Sequence, residues 1–222
     1  MLSTRSEHAK LDRLAGHAFR NALRLHFDSI LLFRNHSYAS AFGLSVLALE
    51  EFAKSHLLED QYFHATIDGT EMDSKLRKEF SQMLVSHHVK QRVFSSMVFF
   101  PWQTGSDGEF KMDPFSRRAF KGALERSKQD SFYVGLKIKA GRQFPEGRIS
   151  SPLQMTAIPP RRNITIVNDY VLEIVAGVVT EYSMVDAPSI ERQINQTLLS
   201  QLLDQWPLRS RRTKRYLKIY RS

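Results

Sequence analysis

The sequence of 222 residues contains no cysteine. This absence excludes a disulfide-stapled scaffold, a thiolate zinc site and a cysteine nucleophile, and it fits a reducing compartment. Long apolar runs are also missing, because no stretch approaches the roughly 18 residues that cross a bilayer. The first residues, Met1 to His8, lack the apolar segment of a secretory signal. We therefore expect a cytoplasmic protein that does not enter the membrane.

Familiar nucleotide-binding and hydrolase motifs are absent as well. The chain has neither the GxxxxGK[ST] nor the GxGxxG pattern of phosphate-binding loops, and it lacks the GxSxG turn of a serine hydrolase. What the chain does have is a globular composition, since 42% of its residues are hydrophobic and 25% are charged. Its length favours a single hydrophobic core.

Negative charge is missing from the C-terminal end. Residues 209–222 contain seven basic residues and no acidic one, which leaves only +2 of the net charge of +9 for the rest of the chain. Such a tail binds nucleic acid or anionic lipid through counterion release, or it only keeps the protein soluble. The candidate nucleic-acid-binding residues are Arg209, Arg211, Arg212, Lys214, Arg215, Lys218 and Arg221.

Hydrophobic periodicity predicts an all-α protein. Two long helices, at about 6–33 and 38–64, are separated by a short polar break and should form an antiparallel hairpin. Asp73 should cap a third helix that runs toward Met97, and Asp113-Pro114 should start a fourth that runs to about Gln129. The sequence therefore predicts a bundle of five or six helices.

The predicted domain organisation follows from these segments. Residues 1–208 should form one helical domain, interrupted at about 131–162 by an irregular insertion that contains at most a short β hairpin. Further helices should follow at about 163–206, and residues 209–222 form the basic tail.

Three charged residues interrupt the apolar second helix. Glu50 and Lys54 are spaced i,i+4, and Glu51 and Lys54 are spaced i,i+3, so both pairs can meet on one face. Glu51 falls on the apolar stripe of the helix, where a charge is costly unless it is paired or used. We therefore take all three as candidate functional residues, with a buried ion network as the alternative interpretation.

His87 and Lys90 share one face of the predicted third helix and complete the candidate site. If the second and third helices pack antiparallel, counting residues from their connection brings Glu51 and His87 to the same level. A metal site is disfavoured, because the Glu-x-x-His pairing of bundle di-metal sites is absent and Lys54 would repel a cation. No cofactor is expected.

An ordered set of residues resembles a known family. It comprises Asn21-Ala22, Leu25, Asp28, Leu31, Tyr38, Ala41, Leu44, Leu47-Ala48, Glu50-Glu51 and Lys54, followed by His87-His88-Val89-Lys90 and Ser131-Phe132-Tyr133-Val134-Gly135. The set is similar to the helical hairpin, the His-x-x-Lys signature and the Tyr-Val-Asp segment of AbiV-type abortive infection proteins, although Gly135 replaces the acid.

The resemblance implies a HEPN-like fold over about 15–130, a homodimer, and a role in bacterial defence in which a phage-infected cell stops making protein. Many HEPN proteins are metal-independent RNases with an Arg-x4-6-His motif. Arg20 and His26 match that spacing, but six residues on a continuous helix turn the side chains about 240° apart, so we reject them as a catalytic pair.

Two functional hypotheses remain open. In the first, the protein cleaves or grips RNA: His87 takes the proton of a ribose 2′-OH, and Lys54 and Lys90 stabilise charge on the phosphate. Glu51 orients one of these residues and tunes its pKa. In the second, it is a non-catalytic binding protein that acts on the ribosome or on a protein partner. A trigger or inhibitor protein encoded by the phage is a further candidate partner.

Overall fold

The computed structural model describes residues 2–67, 73–98, 102–104, 110–137, 148–175 and 196–206. These residues contain eight α-helices and four short strands. The helices are α1 (Leu2–Arg34), α2 (Tyr38–Ile67), α3 (Ser74–Val85), α4 (His87–Val98), α5 (Pro114–Phe120), α6 (Ala123–Phe132), α7 (Ile158–Val175) and α8 (Gln196–Gln205). The expected all-α fold is confirmed. The basic tail at 209–222 and the predicted helical segment at 176–195 lie outside the described residues.

The predicted hairpin of the first two helices forms the base of the bundle. The chain reverses at His36, whose φ of 61° lies in the left-handed region, and α2 begins two residues later. Helix α2 is apolar nearly all round because it packs against α1, α4, α6 and α7. Its fully buried side chains include Phe42, Leu49, Phe52 and Leu58.

The third predicted helix is broken into two. Ser86 has an extended backbone, which ends α3, and its Oγ accepts a hydrogen bond of 3.3 Å from the backbone N–H of Val89, which caps α4. Asp73 caps α3 as predicted. None of the α3 residues is buried, whereas α4 buries five side chains. The expected packing of one continuous third helix on α2 is therefore wrong. Helix α4 packs on α2, whereas α3 contributes the partly buried Phe80 and Leu84 to the core.

The fourth predicted helix is also divided. Asp113 caps α5 as predicted, but Gly122 adopts a φ of 64° and separates α5 from α6. The imidazole of His88 packs so closely on this turn that a Cβ at residue 122 would collide with it. The break places α6 at a new angle, and α6 then packs on α2 and α4.

Two antiparallel hairpins connect the helices. Strand β1 (Trp102–Thr104) pairs with β2 (Phe110–Met112) between the third and fourth predicted helices, where the sequence analysis predicts no strand. Strand β3 (Gly135–Lys137) pairs with β4 (Arg148–Ser150), within the insertion where one hairpin was expected. Helix α7 begins earlier than expected, at Ile158. No helix among the described residues is both long enough and apolar enough to span a bilayer.

Gly43 is the point of closest approach between α2 and the end of α6. A Cβ at this position would lie 2.6 Å from Cε2 of Phe132 and 2.8 Å from Oγ of Ser131. A glycine inside a helix usually costs about 0.5–1 kcal/mol relative to alanine. Here that cost is offset because a side chain would push α6 away from α2.

We predict that Gly43→Ala destabilises the fold, although glycine-to-alanine changes in helices normally stabilise. Overpacking at a contact this close should lower the free energy of unfolding by about 1–3 kcal/mol. Urea denaturation of the variant and the wild type measures the difference. A variant that is more stable than the wild type would show that α6 does not approach α2 this closely.

His26 is a buried histidine on α1 that faces α7. Its side chain has no exposure, and its Nε2 lies 3.3 Å from Oδ1 of Asn168. Burial lowers the pKa of His26 to about 4, against the opposing effect of the Asn168 hydrogen bond. The folded protein therefore holds His26 neutral at pH values where the unfolded chain protonates it.

We predict that this histidine makes the fold sensitive to acid. Because the pKa is lower in the folded state, stability is complete above the unfolded value of about 6.5 and falls as the pH drops toward 4, by about 3 kcal/mol. His26→Gln should remove this part of the pH dependence in urea denaturation at pH 7 and pH 4. His17→Gln, at an exposed position on the same helix, is the matched control and should keep it.

Candidate functional site

The centre of the candidate site is the carboxylate of Glu50, which is only 2% exposed. One oxygen, Oε1, accepts hydrogen bonds from Nζ of Lys128 at 2.9 Å and from Nε2 of Gln91 at 2.7 Å. The other, Oε2, lies 2.7 Å from Nδ1 of His87. Three helices, α2, α4 and α6, thus meet at one buried acid.

Lys128 is paired with a second carboxylate. Its ammonium lies 2.7 Å from Oε2 of Glu125, which precedes it by three residues on α6, and its side chain is only 4% exposed. Burial would raise the pKa of Glu125, but hydrogen bonds from Lys128 and Gln129 outweigh burial and lower it. Glu125 is therefore ionised at neutral pH, and two carboxylates share the buried ammonium.

His87 is the member of the cluster that reaches solvent. Its side chain is 50% exposed. An ionised carboxylate can only accept, so the short contact with Glu50 requires that Nδ1 of His87 carries the proton and donates it. Nζ of Lys128 lies 3.2 Å from the same nitrogen and is then a close neighbour rather than a donor to it. This tautomer leaves the lone pair on Nε2, which makes no hydrogen bond within the described residues.

Lys90 is a buried lysine one turn after His87. It is 6% exposed, and its ammonium makes neither a hydrogen bond nor an ion pair within the part of the chain that the structure describes. Burial lowers the pKa of Lys90, while the charges of Glu50 and Glu51 act in the opposite direction. An amine that is desolvated and has no committed partner is available to a ligand.

Glu51 and Lys54 lie beside this cluster and pair with each other at 3.9 Å. Oε2 of Glu51 also accepts a hydrogen bond of 3.2 Å from Nδ2 of Asn21 on α1. The expectation that Glu51 is the carboxylate opposite His87 is therefore wrong, because Glu51 faces α1. Glu50, about 100° further round the helix, faces α4 and α6 instead.

The five candidate residues that were predicted from the sequence lie in one region of the fold. Lys90 lies between the pair Glu51 and Lys54 and the cluster around Glu50. The charge of Lys90 interacts with those of Glu50, Glu51 and Lys54. Sequence analysis missed Gln91, Glu125 and Lys128, which complete the network. Lys128 is 78 positions from Glu50, so no local spacing marks the pair. The one available signal was the position of Lys128 just before the segment Ser131–Gly135 that resembles the family.

The cluster also has the donor set of a cation site. One ligand atom each of Glu50, His87 and Glu125 lies within 4.8 Å of the others. The ammonium of Lys128 already bonds to both carboxylates, so a positive charge is present where a metal ion would have to sit. These residues therefore fit an ammonium better than a divalent ion.

The Arg20 and His26 pair, rejected from the sequence, does not form a site. His26 is fully buried and lies beside Asn168, whereas Arg20 is exposed and lies 3.2 Å from Nδ1 of His17. The two side chains thus lie in different environments, one in the core and one at the surface of α1.

Comparison with known proteins gives one match. A family model described as AbiV, within the HEPN group, matches residues 10–159. This range contains all eight residues of the cluster, from Glu50 to Lys128. No curated protein and no solved structure matches the chain.

We predict that Lys128→Met destabilises the protein strongly, because it leaves the carboxylate of Glu50 buried with less compensation. Breaking a buried pair in this way costs about 3–5 kcal/mol. Lys78→Met, at an exposed position on α3, is the matched control and should change stability little. Thermal and urea denaturation measure both variants. Equal stability of the two would show that the Glu50–Lys128 contact is not a buried ion pair.

Proposed function

Since the chain belongs to the AbiV family of HEPN proteins, we propose that it is an abortive infection effector that stops translation in phage-infected bacteria by cleaving RNA at the His87 site. Membership of the family indicates the defence role. The proposal of RNA cleavage is supported by one observation above all, the contact between Nδ1 of His87 and the buried carboxylate of Glu50. A histidine held in this way by a carboxylate is a common general base.

The chemistry needs no group beyond those of the cluster. Nε2 of His87 takes the proton of a ribose 2′-OH, and the 2′ oxygen attacks the adjacent phosphorus. The bond from phosphorus to the 5′ oxygen breaks, and that oxygen leaves with a proton from the imidazolium or from water. The products are a 2′,3′-cyclic phosphate and a 5′-hydroxyl end.

Two lysines are placed to stabilise the phosphate during this step. Lys90 is buried one helical turn after His87, and its ammonium has no hydrogen-bonding partner within the described residues, so it can approach a phosphate oxygen without breaking an existing contact. Lys54 is 28% exposed and is held loosely by Glu51 at 3.9 Å. Positive charge that is already in place costs little reorganisation when negative charge develops. Glu50 orients His87.

The protein's partners are part of the proposal. We expect RNA or the ribosome as the target, a homodimer as the active form, and a phage-encoded trigger or inhibitor.

A second function is favoured by the burial of the ion network. Glu50 and Lys128 are 2% and 4% exposed and bond to each other at 2.9 Å, as buried structural pairs often do. In this alternative the protein does not cleave RNA but binds the ribosome or a protein partner, and the cluster only holds α2, α4 and α6 together.

Incubation with total RNA, followed by analysis of the RNA ends, separates the two functions. We predict that the wild type produces 2′,3′-cyclic phosphate ends in the presence of EDTA. His87→Ala should lower the rate at least about 100-fold, because a general base contributes about 10²–10⁴. His88→Ala is the matched control on the neighbouring position, and it should retain cleavage.

The outcomes are distinguishable. Intact RNA with the wild type, together with a lower melting temperature for His87→Ala, would favour the binding function. Full cleavage by His87→Ala would show that the base is elsewhere. In cells, His87→Ala should lose toxicity while the amount of folded protein stays unchanged.

A further inference from the structure

A second group of charged residues surrounds the turn between α5 and α6. His88 of α4 packs directly on Gly122 in this turn. One helical turn further along α4, Arg92 donates a hydrogen bond of 3.3 Å to the carbonyl of Phe120, the last residue of α5. Because His88 follows His87 directly, this surface adjoins the candidate site. We call it the α5–α6 corner.

The α5–α6 corner contains five cationic residues on three adjacent elements. They are Arg92, Arg117, Arg118, Lys121 and Arg126. Arg92, Arg117 and Arg126 donate only to backbone carbonyls, at 3.2–3.3 Å. The side chains of Arg118 and Lys121 make no hydrogen bond or ion pair within the described residues. No carboxylate in the described part of the chain therefore neutralises any of the five.

Two acidic residues of this region, Asp113 and Glu125, have partners outside the corner. Asp113 accepts the backbone N–H groups that begin α5, and Glu125 bonds to Lys128. Elsewhere in the molecule exposed arginines do pair with acids, as Arg24 does with Asp28 and Arg77 with Glu7. The five cations of the corner thus form no ion pair within the described residues, whereas other arginines of the same protein do.

Arg118 is destabilised in its charged form, and no acidic partner within the described residues offsets this. Burial lowers the pKa of Arg118, and the charge of Arg162, in the first turn of α7, lowers it further. Two guanidinium groups that repel each other without an intervening acid are stabilised when an anion binds between them. Arginine also suits phosphate because its planar donors bind two oxygens at once.

We propose that the α5–α6 corner binds the phosphate backbone of a single-stranded RNA and leads the strand to His87. The inference rests on the proposed function for its choice of ligand. Arg92 and His87 are five residues apart on α4, about 7.5 Å along the helix axis and about 140° around it. A strand bound at Arg92 therefore has to pass around α4, and it reaches His87 within a few nucleotides. The corner binds the phosphate groups of the RNA and does not distinguish between nucleobases.

The test uses a nucleic acid that this site cannot cleave. A fluorescein-labelled 2′-O-methyl oligouridine lacks the 2′-OH nucleophile, so its binding is measured independently of catalysis. Fluorescence anisotropy is recorded over a range of KCl concentrations for the wild type and for the variant with Arg92→Gln, Arg118→Gln and Arg126→Gln. A variant with Arg13→Gln, Arg24→Gln and Arg77→Gln carries the same change of charge on α1 and α3 and is the matched control.

We predict that the corner variant binds at least tenfold more weakly at 100 mM KCl. The slope of log K against log salt should also fall by about 2, since each phosphate contact to a single strand contributes roughly 0.7. The control variant should keep the slope of the wild type. Circular dichroism melts establish that each variant is folded, and Arg118→Gln alone, with an expected slope change of about 0.7, replaces the triple variant if that does not fold.

Several results would overturn the proposal. They are an unchanged slope for the corner variant, an equal loss for the control, and no binding by the wild type. A labelled polyglutamate peptide that binds as tightly as the oligonucleotide would overturn the assignment to nucleic acid. If the corner behaves as predicted and the wild type cleaves no RNA, the docking surface stands and the proposed cleavage fails.

Discussion

The arrangement of this protein depends on burying one negative charge. Glu50 lies in the middle of the most apolar helix, and a bare carboxylate there would cost several kcal/mol. Its oxygens take their donors from outside α2, because Lys54, one turn further along that helix, pairs with Glu51 instead. Lys128 from α6 and the pair His87 and Gln91 from α4 supply them. The need to satisfy one acid therefore fixes where two other helices pack.

The same network explains how a structural role and a chemical role can coexist. Lys128 and Gln91 take up one oxygen of Glu50 and hold the carboxylate still. The other oxygen is then left for His87, whose ring is half exposed. A general base benefits from this division, since the buried half of the network determines the tautomer and the exposed half meets the substrate. Burial of the ion pair is thus compatible with either function.

Much of this fold could be predicted from the sequence, but less of the candidate site could be. The caps at Asp73 and Asp113 were predictable because their side chains bond to nearby backbone groups, and the hairpin of α1 and α2 followed from two long periodic segments. The break at Ser86 was missed, although a serine before a helical turn is a common cap, since the apolar pattern continues across it. The choice of Glu50 over Glu51 depends on which helices pack beside α2, and periodicity alone does not contain that information. Lys128 lay outside any local motif for the same reason.

The contact at Gly43 has a consequence for how parts of this protein can be exchanged with those of relatives. Gly43 and Glu50 are seven residues apart, so they lie two turns apart on nearly the same face of α2. Helix α6 touches that face twice, through Phe132 at Gly43 and through Lys128 at Glu50. Two contacts on one line define both the height and the rotation of α6. A chimera that takes α6 from another family member must therefore also take the matching α2. Otherwise the ammonium at position 128 will not lie beside the carboxylate of Glu50.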